Sequence, residues 1–291
     1  MVISDSKLTQ SAAILSIAVA ASLIILKGFA WINSESSSVL ASFADSSLDI
    51  IVSFINFFAI RFAFAPADKE HPFGHGKAES LAALMQSAFI AGSAFVLLLH
   101  SSERFVHPQE VQSIESASWV MLISLGLTIG LVFYQMWVYK RTHSLAIKAD
   151  SAHYFGDILA NIAVLGALFS AHIGIFWIDP LVAILIVLTL LKSAYGIAVE
   201  SVNMLMDHAL DPEVVETIES LVKQNEHILG CHDIRTRQSG NIQFIQVHLD
   251  FDALQPLYIV HEQGEWLTEQ LLVRYPRADI LVHHDPVSTC E

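Results

Sequence analysis

Charged residues are scarce in this chain. Only 15% of its 291 residues are Asp, Glu, Lys or Arg, against 54% hydrophobic ones and a mean hydropathy of +0.53. Soluble domains carry about a quarter charged residues, so the balance excludes an ordinary soluble domain and fits a polytopic membrane protein. Basic residues are scarcer still: 15 Lys and Arg face 29 Asp and Glu, for a formal charge of −14. A nucleic-acid partner needs a basic footprint, and none is present. Two cysteines, Cys231 and Cys290, are too few for a disulfide framework and suit a reducing compartment. No His-Glu-x-x-His sequence occurs, which removes the commonest helical signature of a zinc hydrolase. The N-terminus, with the single lysine Lys7 and no clear cleavage site, is no signal peptide and reads as leading into a retained first span.

Long apolar runs are plentiful. Six segments reach the roughly 20 residues needed to cross a bilayer: Ala12–Trp31, Val39–Phe64, Lys77–Leu99, Ala117–Tyr139, Leu145–Ala171 and Pro180–Val199. Short connections make neighbouring spans antiparallel in a compact bundle. The N-terminal tail, the second connection with its flanks and the fourth connection hold Lys7, Arg61, Lys69, Lys77, Lys140, Arg141 and Lys148. The other connections offer mainly Arg104, with Lys27 near a helix end. The positive-inside bias therefore places both termini in the cytoplasm.

Composition changes near position 200. From Ser201 to Glu291 there are fifteen acids and five bases, a formal −10, and seven of the fourteen histidines. "DPEVVETIESLVKQNE" opens on Asp-Pro and spaces Val214, Ile218, Leu221 and Val222 helically. Apolar residues alternate on both sides of Ser239-Gly240, a hairpin signal. A helix from about Leu257 to Arg274 and a short strand, "ADILVHHD", complete an αββαβ order. The expected fold is a six-helix membrane bundle over residues 1–207, followed by a small cytoplasmic α+β, metallochaperone-like domain over residues 208–291.

The second span contains two acids, Asp45 and Asp49, at i, i+4 on one helix face. The fifth span answers with His153 and Asp157, also at i, i+4. A carboxylate at bilayer depth costs roughly 2.5–3.5 kcal/mol on translocon-type scales. Antiparallel helices bring the two pairs to similar depths near the midplane, and their charges require a cation. Three carboxylates and an imidazole suit tetrahedral Zn2+ or a similar divalent metal. Asn56 and Asn161 extend the two polar stripes, either as packing residues or as partners of the metal ligands, with packing the preferred reading. Asp150, on the same side of its helix as His153 but nearer the cytoplasm, reads as a solvated carboxylate.

Two further groups have ligand chemistry. "DKEHPFGHGK" places Asp68, His71 and His75 beside turn-forming Pro72, Gly74 and Gly76, a loop able to wrap one metal. In the tail, His283 and Asp285 share a strand face while His284 points the other way. His248 lies on a neighbouring strand, His261 near the start of the helix after Pro256, and His232 before the hairpin. Cys231 reads as a buried or idle thiol.

The paired motifs, the "HPFGHGKAES" stretch and the αββαβ tail together resemble the cation diffusion facilitator family, in particular its bacterial zinc and iron efflux members. The resemblance covers the whole chain. It implies a homodimeric antiporter of the bacterial inner membrane, exporting divalent metal (Zn2+, with Fe2+, Co2+ and Cd2+ open) in exchange for protons, with no organic cofactor. Asp45, Asp49, His153 and Asp157 would form its transport site, and Asp68, His71 and His75 a loop site. His232, His248, His261, His283 and Asp285 would hold two structural or regulatory metals, and Lys77 and Asp207 would pair as an interlock. Two other classes compete. A membrane-anchored metal sensor or metallochaperone explains the His-rich tail but not the ligand pairs inside the spans. An intramembrane metallohydrolase needs a general base that no motif supplies.

Overall fold

The structure, a computed structural model, describes residues 2–34, 37–106, 115–172 and 178–287; for residues 2–4, 33–34, 37–39, 41, 100–106, 115–119, 163–172 and 178–180 it describes the backbone alone. Cys290 lies outside the described residues. Two compact units form, Met1–Val202 and Asn203–Glu291.

The first unit is built from six long helices: α1 (Val2–Ser34), α2 (Ser37–Ala63), α3 (Lys77–Val106), α4 (Glu115–Thr142), α5 (Leu145–His172) and α6 (Ile178–Leu205). Among the described residues, all but α5 have a window long and apolar enough to cross a membrane. Lys148, Asp150 and Asp157 interrupt the apolar run of α5. Several helices outrun their hydropathy. α1 starts ten residues ahead of Ala12 because "SDSKLTQS" has neither Gly nor Pro and its polar groups bond within the helix. The Thr9 hydroxyl donates to the Asp5 carbonyl at 2.9 Å, and the Gln10 amide to the Ser6 hydroxyl at 3.2 Å.

Lipid solvates apolar side chains as well as a protein core does, so helix packing here relies on small residues and hydrogen bonds. Ile25, Phe29 and Phe133 face outward, while Ala12, Ala13, Ala83, Ala94, Ala146 and Ala149 are buried between helices. Asp150 is wholly buried, which corrects the expectation of a solvated group. Its carboxylate accepts hydrogen bonds from Ser16 Oγ at 2.6 Å, Gln135 Nε2 at 2.6 Å and Gln86 Nε2 at 3.2 Å. One carboxylate thus ties α5 to α1, α4 and α3. Asp150→Ala strands these donors, each at a cost of about 1–3 kcal/mol if left unpaired. We expect a melting temperature in detergent lower by at least about 5 °C, with an exposed-site control such as Lys223→Ala unchanged.

The second unit contains α7 (Pro212–Val222), β1 (Gly230–Ser239), β2 (Ile242–Asp252), α8 (Leu257–Arg274) and β3 (Ala278–Val287). β1 and β2 run antiparallel, joined at Gly240, whose φ of 58° is readily adopted by glycine. β2 and β3 run parallel, so the connection between them must cross over, and α8 is that crossover. Alternation in β2 sends Ile245, Val247, Leu249 and Phe251 into a core shared with Ile218 and Leu221 of α7 and Leu267 and Leu271 of α8. His248 and Asp250 take the opposite face. A side chain at Gly264 of α8 would place its Cβ 2.4 Å from His284 Nε2, so a larger residue there would require the His284 ring or the helix to move.

Candidate metal centre

On α2 a polar stripe runs through Ser42, Asp45, Ser46, Asp49, Ser53 and Asn56, at i, i+3, i+4, i+7, i+11 and i+14. The facing residues come from α5. His153 Nε2 lies 3.0 Å from Asp49 Oδ1, and one ligand atom each from Asp49, His153 and Asp157 come within 4.8 Å of one another. Asp49 is buried, and His153 and Asp157 nearly so. One turn deeper, the Ser53 and Tyr154 hydroxyls share a hydrogen bond at 2.9 Å, a second tie between α2 and α5. Gly156 keeps the far side of α5 thin: a Cβ there would sit 2.9 Å from Leu190 Cδ2 of α6. Asp45 is not brought into the group; it lies one turn before Asp49 and is exposed in the single chain. Two carboxylates and an imidazole so close together inside a helical unit form an anionic, borderline-hard donor set of the kind divalent transition metals take.

The loop between α2 and α3 brings Asp68, His71 and His75 together. Asp68 Oδ1 accepts from the backbone N–H of His71 at 2.7 Å and of Glu70 at 2.9 Å. Its oxygens lie 3.3 Å from His71 Nδ1 and 3.2 Å from His75 Nε2. The His71 backbone bond, first, holds the Asp68 carboxyl below the usual carboxylate range, so it is ionised at neutral pH. His75 is buried against Phe62, with ring centroids 4.3 Å apart.

In the tail, strand register does the assembling. His232 pairs directly with His248 across β1 and β2, and His248 with His283 across β2 and β3, giving a row of three imidazoles. The next row on this face holds Asp250 opposite Asp285. Asp285 is the hub: it lies 2.7 Å from His248 Nδ1, 3.6 Å from His232 Nε2 and 3.3 Å from His283 Nε2. The bond from His248, foremost, holds its carboxyl below the usual range. Asp250 Oδ1 lies 3.2 Å from His232 Nδ1, a contact missed in the sequence although Asp250 stands two residues from His248 on the same face. His261 is not brought into this group. It sits on α8, and its charge acts on His284. His284 is held below the ordinary histidine range by burial and then by His261 and His283, so it stays neutral. The Cys231 thiol is pushed up by burial and by Glu219 and Asp250, which keeps it protonated and a poor ligand. Asp207 accepts from Arg237 at 3.2 Å within the tail unit, while Lys77 opens α3 in the other unit.

Comparison with known families bears on both units. A model of the cation efflux transmembrane domain matches residues 13–206, and one of the cation efflux protein cytoplasmic domain matches residues 210–287. The chain belongs to the cation efflux family. Relatives are similar over nearly their full length. The cation-efflux pump FieF of Pectobacterium carotovorum is 44% identical over 283 residues, 97% of this chain and 94% of that one. FieF of Yersinia enterocolitica is 42% identical over the same shares. As a member of the cation efflux family the chain is a multi-pass membrane transporter of metal cations, and not an enzyme.

Proposed function

We propose that the chain exports a divalent cation, Zn2+ foremost, from the bacterial cytoplasm across the inner membrane as a homodimer, exchanging it for protons. The observation that carries this reading is the grouping of Asp49, His153 and Asp157 inside the membrane unit; Asp45, one turn away, would supply the fourth ligand. Metal binding requires deprotonated carboxylates and a neutral imidazole, so a proton gradient and a metal gradient compete for the same atoms. Alternating exposure of that group to the two sides then moves one against the other. The tail and loop groups have donor sets fit for zinc as well, and in the tail Asp285, in contact with three imidazoles, would bridge two ions. Pairing of Lys77 with Asp207 would link the tail's state to the membrane helices.

Sealed proteoliposomes of the full chain test the reading. Zn2+ flux that follows an imposed pH gradient is expected; metal bound to the protein without flux would favour a membrane-anchored sensor. Selectivity adds a second check. His153→Asp exchanges a borderline nitrogen for a hard oxygen and shifts preference from Zn2+ towards Mn2+ in competition binding. An unchanged preference would place selectivity elsewhere.

A further inference from the structure

Lys27 stands inside an apolar span, Asp5–Ile32 of α1. Lysines near the end of such a span ordinarily extend their ammonium to the interface. This one turns to α2 instead. Its Nζ donates to Ser46 Oγ at 2.7 Å and to the Ser42 carbonyl at 3.3 Å, and Ser46 is fully buried. Both acceptors lie on the polar stripe that carries Asp45 and Asp49. Depth agrees: Lys27 is seven residues from the end of α1 and Asp45 eight from the start of α2, or about 10 and 12 Å along the two helices. The charges acting on Asp45 are Asp49, Lys27 and His153. Those acting on Asp157 are His153, Asp49, Asp45 and Lys27.

We propose that Lys27 is the resident counter-cation of the membrane metal group, so that the group is electrically neutral when a divalent ion is bound. The proposal rests on the transport reading of that group. Asp45, Asp49 and Asp157 contribute three negative charges, the ion two positive ones and Lys27 the third, with His153 neutral as a ligand. Asp150, about one turn before His153 on α5, is engaged by its own three donors, and the balance counts only the four proposed ligands and Lys27. Neutrality matters because an uncompensated charge is costly at this depth. It also sets a charge filter: a monovalent ion leaves the group negative and a trivalent one leaves it positive. Repulsion from the fixed ammonium weakens the hold on the ion, which favours release.

Full-length chain in sealed proteoliposomes, with Zn2+ as the probe, tests this. Lys27→Gln removes the repulsion, so the KM for Zn2+ falls about tenfold and the maximal rate falls with it, because the ion leaves slowly. Lys27→Arg keeps the charge and restores a KM near wild type. Ser46→Ala frees the ammonium to close on Asp45 and moves KM the other way, upward, which keeps the test available if Lys27→Gln does not fold. A purely structural lysine would lower the rate in Lys27→Gln without lowering KM. That result, or Lys27→Arg behaving like Lys27→Gln, or Ser46→Ala leaving KM unmoved, overturns the counter-cation. Absence of flux in wild type would instead overturn the transport reading itself, and the counter-cation with it.

Discussion

Alanine at Asp49 or at Asp157 is expected to abolish Zn2+ flux from reconstituted vesicles while leaving a folded protein. The physical reason is that each substitution removes both a ligand and a negative charge from a small group. Asp49 lies 3.0 Å from His153 through Oδ1, and Asp157 completes the cluster within 4.8 Å. Loss of an outer-sphere partner already costs about 10–100-fold in affinity at metal sites, so loss of a ligand exceeds that. Folding survives because the membrane unit is tied elsewhere, through Asp150 with its three donors and through Ser53 with Tyr154. Flux measured with a zinc-sensitive dye inside the vesicles, beside a thermal-unfolding control, decides the matter. Wild-type flux from well-folded Asp49→Ala would remove this group from the transport path.

The other large effect belongs to the tail. On the proposed reading, with zinc withdrawn two tails of formal charge −10 each, counted over Ser201–Glu291, are expected to repel across a Debye length of about 8 Å. Added zinc is expected to close them. A distance probe on the two tails of the dimer should therefore report a shorter separation at high zinc. Asp285→Ala eliminates that response, because this one carboxylate contacts His232, His248 and His283. His261→Ala leaves most of it, since His261 stands apart beside His284. A separation indifferent to zinc in wild type would make the tail metals structural and end the regulatory reading. The sign with pH follows from the ligands: protons compete with zinc for the same atoms, so closure needs more zinc as pH falls.

Local periodicity made much of this fold legible. Helical spacing of Asp45 with Asp49 and of His153 with Asp157 needs only 3.6 residues per turn, and the αββαβ order of the tail needs only turn residues and alternation. The same alternation separates His284 from His283 and Asp285. What periodicity does not carry is the rotation of one helix against others distant in sequence. Asp150 is buried because Ser16, Gln86 and Gln135, between 15 and 134 residues away, all turn toward it. Lys27 looked like a residue near a helix end because its acceptors, Ser42 and Ser46, sit on another helix. Asp250 and His261 illustrate the same limit in the tail. Which residues join His248 depends on strand register and on where α8 crosses, and both are set by long-range packing.

The placement of β3 has a consequence for how the protein is made. His283 and Asp285 lie on a strand that pairs with β2 only after α8 has crossed over. While the ribosome is still translating those codons, six helices are already available to the membrane, and the tail has His232 and His248 but no hub. A message cut short before residue 278 would thus leave His232 and His248 without the carboxylate that both contact. The row of three imidazoles and the carboxylate they surround are thus complete only once β3 has been made.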